Sequence, residues 1–263
     1  ARFELIPAMR IGFTISLAIG LIVTAMRMFY LRETIEHVEE VDLHPCRLVK
    51  AAYRDMDDSL RWIWRNIRSY AGATMLLSFL SSMILPFWII YATREIGMSN
   101  YTWGVILLWS GVAKAGLSLF IGGIVDRFGA RNCFIAGLLI SIPAMYMFTF
   151  AEGYRATLLI YTTLILGAVL IWISSQVYLA DSIPKAMRGR VMAGLGSGIT
   201  LGVTGVGFPT GFLVFFPRIL GNLVGGLIYA LRPSAPWSLQ SVLLAAALVY
   251  LWFMLEEPEK AEE

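Results

Sequence analysis

Beyond Asp58 the chain carries acidic residues at only four positions, Glu95, Asp126, Glu152 and Asp181, before a tail that opens at Glu256. The intervals between them are apolar, and each is long enough for a helix of ~20 residues to cross the hydrocarbon of a bilayer. Their apolar residues run continuously rather than alternating. That fits helices, which satisfy their own backbone where lipid offers no hydrogen bonds. Spans are therefore expected over 8–30, 71–93, 102–124, 133–151, 156–180, 191–216 and 238–255. Together they predict an all-α membrane protein, a polytopic transmembrane helix bundle of about seven spans. Composition agrees: 58% of residues are hydrophobic and 15% are charged, where a soluble domain carries about 25% charged residues.

Residues 217–237 break the pattern. Pro217, Arg218, Asn222, Gly225, Gly226, Pro233 and Pro236 argue against one straight helix, and the apolar part, 219–231, is short for a crossing. The piece reads as a broken or re-entrant extension near one membrane face; were it to cross, the C-terminus would change sides. Orientation follows from basic residues in the short loops. Arg127, Arg131, Lys185, Arg188 and Arg190 fall on one side, and Arg94, Arg155 and Arg232 on the other. Parity places the 31–70 segment, with Arg32, Arg47, Lys50, Arg54, Arg61, Arg65 and Arg68, beside the first group. That side is expected to be the cytoplasmic face of the plasma membrane, and the tail at 256–263 to end there too.

Within 31–70, Val49, Ala52, Met56, Leu60, Ile63 and Ile67 recur at three- and four-residue steps, which predicts an amphipathic helix. Its tryptophans and arginines suit a helix at the lipid headgroups; packing on the protein's own inner face is an equal alternative. Basic and acidic residues alternate through this segment, so nucleic acid is not an expected partner. Cys46 and Cys133 lie far apart, and with His37 and His44 they make no spacing that predicts a metal site. The first apolar run continues too far for a cleaved signal peptide, and residue 1 is expected to lie inside a longer natural protein.

The polar residues inside the spans are the functional candidates. Lys114 stands near the middle of the 102–124 span, roughly ten residues or ~15 Å from either end, too deep for easy snorkelling. Ser110, Lys114 and Ser118 share one helix face. A charge at that depth is costly and faces a cavity or a partner. Lys114 therefore lines a substrate cavity and attracts a negative group or carbonyl, pairs with a carboxylate elsewhere in a longer protein, or is a buried structural lysine. Thr74, Ser78 and Ser82 form a stripe on the 71–93 helix, with Ser81, Trp88 and Tyr91 on an adjoining face. Trp172, Ser175 and Gln176 cluster on the 156–180 helix. Gly194, Gly198 and Gly202, with Gly207 and Gly211 beyond, have small-xxx-small spacing, which predicts close helix packing.

The spans contain no Asp, Glu or His. A membrane-embedded enzyme needs several such groups converging at one depth, so no catalytic residue, metal or cofactor is expected. A proton relay would need intramembrane groups of the same kind. The chain also lacks a phosphate-cradling Gly-Lys-Ser/Thr motif, which argues against ATP-driven transport by this chain.

One short polar gap carries more. In GGIVDRFGARN (122–132), Gly122, Asp126, Arg127, Gly129 and Arg131 stand at the spacing G-x-x-x-D-R-x-G-x-R between two spans. This resembles the loop signature of the major facilitator superfamily, with Ala130 where the family prefers a basic residue. SMILPFWIIYATREIGMSNYTWGVIL resembles the passage between the first two helices of a half-transporter. SIPKAMRGRVMAGLGSG resembles the loop in which Arg188-Gly189-Arg190 opens the fifth helix of a half. GNLVGGLIYALRPSAPW, an apolar run and EEPE resemble the family's ending, and LRET at 31–34 resembles the end of its sixth helix. FPTGFLVFFPRIL at 208–220 is longer than the family usually has there.

The resemblance implies that 1–30 ends the N-terminal half, 31–70 is the central cytoplasmic loop, 71–255 is the C-terminal six-helix half, and 256–263 is the tail. The first five helices are not in this sequence. It implies a secondary transporter that moves a small organic or drug-like solute by alternating access, with a coupling proton or ion as a further partner. A non-transporting receptor or assembly factor of the same fold is the alternative. The first, second and fourth helices of a half contribute to the family's cavity, so Lys114, Ser110, Ser118, Ser78, Ser82, Trp88, Tyr91, Trp172, Ser175 and Gln176 become candidate substrate contacts. In the family the loop aspartate meets the start of the fifth helix. The resemblance therefore implies a switch in which Asp126 meets the helix opening near Val191 and Arg127 and Arg131 meet Asp181, with Gly122, Gly129, Arg188 and Arg190 around them.

Overall fold

The computed structural model describes residues 5–30, 45–196, 198–203, 211–255 and 257. The LRET stretch, His37, His44 and the tail apart from Glu257 lie outside the described residues. Seven helical segments among the described residues are long and apolar enough to cross a membrane.

The first, α1 (Leu5–Tyr30), holds 26 residues with Arg10 and Arg27 toward its two ends. Its threonines bond back to their own helix, Thr14 to the Arg10 carbonyl and Thr24 to the Gly20 carbonyl.

From Val49 onward the chain forms a separate compact unit. Helix α2 (Pro45–Asn66) leads into it. The predicted apolar row is buried at its C-terminal end: Ile63 is fully buried, Ile67 nearly so, and Ile63 reaches the backbone at Gly194, whereas Met56 and Leu60 are partly buried and Ala52 is exposed. The helix thus packs on its own bundle, and Tyr53 and Trp64 remain exposed on its other side.

The first crossing of this unit is α3 (Arg68–Ile84), a 3-10 turn at Leu85–Phe87 that contains Pro86, and α4 (Trp88–Arg94). Then come α5 (Asn100–Phe128), α6 (Ala130–Met147) and α7 (Gly153–Ser182). Helices α5 and α7 run two to four residues past their predicted spans at each end, because polar end residues continue a helix into the interface, while α6 begins three residues early and gives way to a 3-10 turn at Phe148–Phe150. After α7 the described residues form short α8 (Arg188–Leu195), non-helical backbone at 198–203, α9 (Phe212–Leu231) and α10 (Ala235–Met254).

This ending corrects the expectation for 191–237. The span predicted at 191–216 is not a helix: α8 stops at Leu195, and Gly196, Gly198 and Gly202 have φ of 82°, 148° and 67°. Those values favour glycine and end a right-handed helix. Gly194, Gly198 and Gly202 therefore do not share a helix face as their spacing suggested. Residues 217–231 form regular helix instead of a broken piece. Pro217 sits in the second turn of α9, Pro233 lies in the turn after it, and Pro236 opens α10. Gly221 and Gly225 serve packing: a methyl on either would strike the carbonyl of Phe79 or Met83 on α3. The crossings still number seven, with α9 in place of the predicted sixth.

Short connections sort the helix ends into two groups. Gly129 alone joins α5 to α6, and Arg131 of α6 donates to the Leu255 carbonyl, so the start of α6 and the end of α10 lie together. The other end gathers 95–99, 148–152 and 232–234. Between the ends, α6 and α7 approach closely at Gly137 and Gly167, where a methyl on Gly167 would lie 2.8 Å from the Gly137 carbonyl.

Candidate functional site

Residues 198–203 enter the bundle as a non-helical strip. Bare backbone is tolerated at membrane depth only where protein covers it and satisfies it. Ile199, Leu201 and Val203 are each at most 3% exposed, and side chains from three helices supply the hydrogen bonds. The Ile199 N–H donates to Ser175 Oγ at 2.9 Å, Ser81 Oγ donates to the Thr200 carbonyl at 2.5 Å, and Trp88 Nε1 donates to the Gly202 carbonyl at 2.9 Å. The Tyr161 hydroxyl donates to the Val203 carbonyl. The chain is back beside Gly194 and Gly196 by Gly211. The non-helical backbone expected at 217–237 is found earlier instead, at 198–203.

Against the strip opens a narrow cleft. Lys114 of α5, Ile165, Ala168, Val169 and Trp172 of α7, and Thr200–Val203 line it. Lys114 has fourteen residues of α5 on each side, or ~21 Å of helix to either end. Among the described residues no carboxylate forms an ion pair with it. The cleft wall is otherwise apolar or aromatic apart from Thr200.

Of the predicted contacts, Lys114 and Trp172 meet in this cleft. Ser175 and Gln176 lie beneath Gly198, where a methyl would come within 2.9 Å of Ser175 Oγ and 3.2 Å of Gln176 Cγ. Trp88 holds the strip, as does Ser81, its neighbour on the sequence-predicted face. Other candidates lie elsewhere. Ser110 is buried and bonds the Leu107 carbonyl of its own helix, while Ser118 is exposed and bonds that of Ala115. Ser82 donates to the Ser78 carbonyl and lies under Gly221 in the α3–α9 contact. Tyr91 joins an aromatic cluster and donates to the Thr149 carbonyl. Tyr161 and the strip itself are absent from the sequence-based set. The glycine density of 194–211 was their one visible signal.

The signature loop also differs from expectation. Gly129 has φ of 86° and by itself makes the turn between α5 and α6. Asp126, however, is exposed three residues before that turn, and no hydrogen bond or ion pair joins it to α8 among the described residues. Nor does Asp181 receive Arg127 or Arg131. Arg131 donates to the carbonyls of Trp252, at 2.6 Å, and Leu255, which caps the end of α10. Arg188 donates to the Ala180 carbonyl at 2.7 Å near the end of α7. Arg127 lies over the Phe128 ring, and Arg190 stands 3.8 Å from Asp55 of α2. For Arg131 and Arg188 the physical reason is shared: unsatisfied carbonyls and negative potential at a helix C-terminus attract guanidinium groups. The Glu257 carboxylate lies against Gly129, at the start of α6.

The family model described as Major Facilitator Superfamily matches residues 70–263. The chain is also similar to the uncharacterized MFS-type transporter YhjO of Bacillus subtilis (strain 168). The two are 26% identical over 181 residues, 69% of this chain and 40% of that relative. The chain thus spans about 40% of the length of the curated relative it matches.

Proposed function

The chain belongs to the major facilitator superfamily, and from that premise we propose that it forms part of a secondary transporter for a small organic solute. Residues 71–255 are its C-terminal half and 8–30 close the N-terminal half. The Gly129 end faces the cytoplasm, by the basic residues gathered there. Solute is held between the halves and released by alternating access.

The observation that carries this reading is the buried strip. A discontinuous stretch at mid-bundle, facing a cleft with one deep cation, is the arrangement by which membrane transporters build solute sites away from either surface. These spans supply no intramembrane carboxylate for a coupling proton.

The Arg131 and Arg188 caps belong to the switch. They hold the ends of α10 and α7, and rocking of the halves exchanges those carbonyls for Asp126 and Asp181 as partners. Counterflow tests the whole reading: the complete protein in liposomes, preloaded with candidate solutes, should accumulate labelled solute without an imposed energy source. No counterflow across a panel of anionic, neutral and cationic solutes would favour the non-transporting alternative.

A further inference from the structure

We propose that the narrow cleft at Lys114 selects an organic anion, admitting the acidic group to the ammonium while the apolar body lies over the cleft mouth. This rests on the transporter reading for its purpose but not for its chemistry.

A charge at the centre of a ~40 Å helix needs a partner, because an unpaired ammonium there is strongly disfavoured. The described acidic residues nearest these spans, Glu95, Asp126, Glu152 and Asp181, all lie at helix ends. Among the described residues Lys114 makes no hydrogen bond to the strip either. Its carbonyls at Thr200, Gly202 and Val203 already accept from Ser81, Trp88 and Tyr161. Those donors hold the carbonyls toward α3, α4 and α7. What the cleft then offers is one ammonium, the indole of Trp172 and the aliphatic side chains of Ile165, Val169 and Leu201. A small number of polar groups set in an apolar wall fixes the orientation of a ligand, and the sign of the charge fixes its class. A cation would meet repulsion from Lys114. A neutral solute would leave the ammonium without a counter-charge.

The test uses the complete protein in liposomes, with labelled 2-naphthoate, 2-naphthylmethanol and 2-naphthylmethylammonium as probes of matched shape. Wild type should bind 2-naphthoate saturably and at least about tenfold more tightly than the alcohol, with the ammonium weakest. That comparison needs no variant. Lys114→Met should lose about tenfold or more for 2-naphthoate alone, while Lys114→Arg keeps most of it.

Absence of saturable 2-naphthoate binding by wild type, or binding equal to that of the alcohol, overturns the proposal. Unchanged affinity in Lys114→Met does so too, and assigns the lysine to a carboxylate of the same protein or to structure. Counterflow on the same liposomes separates the two readings. Charge-selective binding without counterflow overturns transport and leaves the site. Counterflow of neutral or cationic solutes that is indifferent to Lys114 overturns the site and leaves transport.

Discussion

The two ends of the six-crossing unit are held by opposite kinds of force. At one end, Trp88, Tyr91, Trp103, Phe148, Tyr161, Tyr229 and Trp237 form a single aromatic cluster drawn from all six crossings. Its closest pairs are Tyr91–Trp237 at 4.5 Å and Trp88–Phe148 at 4.6 Å between ring centroids. Trp237 is fully buried. At the other end a one-residue turn, two arginine caps and an ion pair to α2 do the joining. Edge-to-face aromatic pairs add about 0.5–1.5 kcal/mol each beyond the area they bury, and they resist being taken apart one at a time. Arginine caps trade one carbonyl or carboxylate for another at little net cost. Under the proposed alternating access, a rocking half would keep its packing at the aromatic end and exchange contacts at the arginine end.

Breaking the aromatic end should cost the most. Trp237→Ala removes the hub of the cluster and is expected to lower stability by about 3–5 kcal/mol. Thermal unfolding in detergent reads this, and a loss similar to that of a change at an exposed apolar position such as Phe253→Ala would show that the cluster is not a unit. Next comes the turn. Gly129→Val forces a branched side chain into positive φ and against Glu257, at about 1–3 kcal/mol; wild-type melting would mean the helix ends accommodate another connection.

Arg131→Ala frees two carbonyls at the end of α10, and about 1–2 kcal/mol should go with them. Hydrogen exchange localises the effect: the last turn of α10 should exchange faster, and uniform change across α10 would argue against a local cap. The Asp55–Arg190 pair is half-exposed and loosely spaced, so a double-mutant cycle should return about 0–1 kcal/mol. A coupling well above that would make α2 a fixed strap.

Asp126→Asn sharpens the contrast most. An aspartate near a helix C-terminus sits against the local potential, so the neutral variant should melt at or slightly above the wild-type temperature, a shift of about 0.5 kcal/mol or less. If Asp126 serves the opposite conformation, counterflow turnover falls while stability holds. Wild-type turnover would remove it from the switch.

How far the sequence reached depended on how local each signal was. Crossing helices were legible because twenty apolar residues in a row have few alternatives in lipid. The turn at Gly129 was legible because a one-residue link between helices needs positive φ. The prolines and glycines of 217–237 misled because the same residues mark a break in one context and close packing in another. Gly221 and Gly225 are read correctly only with the α3 backbone beside them. At Gly196, Gly198 and Gly202 the glycines did mean a break, and what decides it is the set of partners waiting for the strip, the donors Ser81, Trp88 and Tyr161 and the acceptor Ser175. Those residues lie up to 119 positions away from the strip groups they bind.

The sequence by itself therefore determined the solvent, the helical class, the family and the depth of Lys114, since each follows from the order of residues along one segment. Tertiary structure alone decided that the strip fills the interior beside α7, that Trp172 faces Lys114 across a cleft, and that Arg131 grips α10 rather than Asp181. Those outcomes depend on which helices adjoin, because a backbone carbonyl or an ammonium is stable in lipid only beside the particular group that satisfies it.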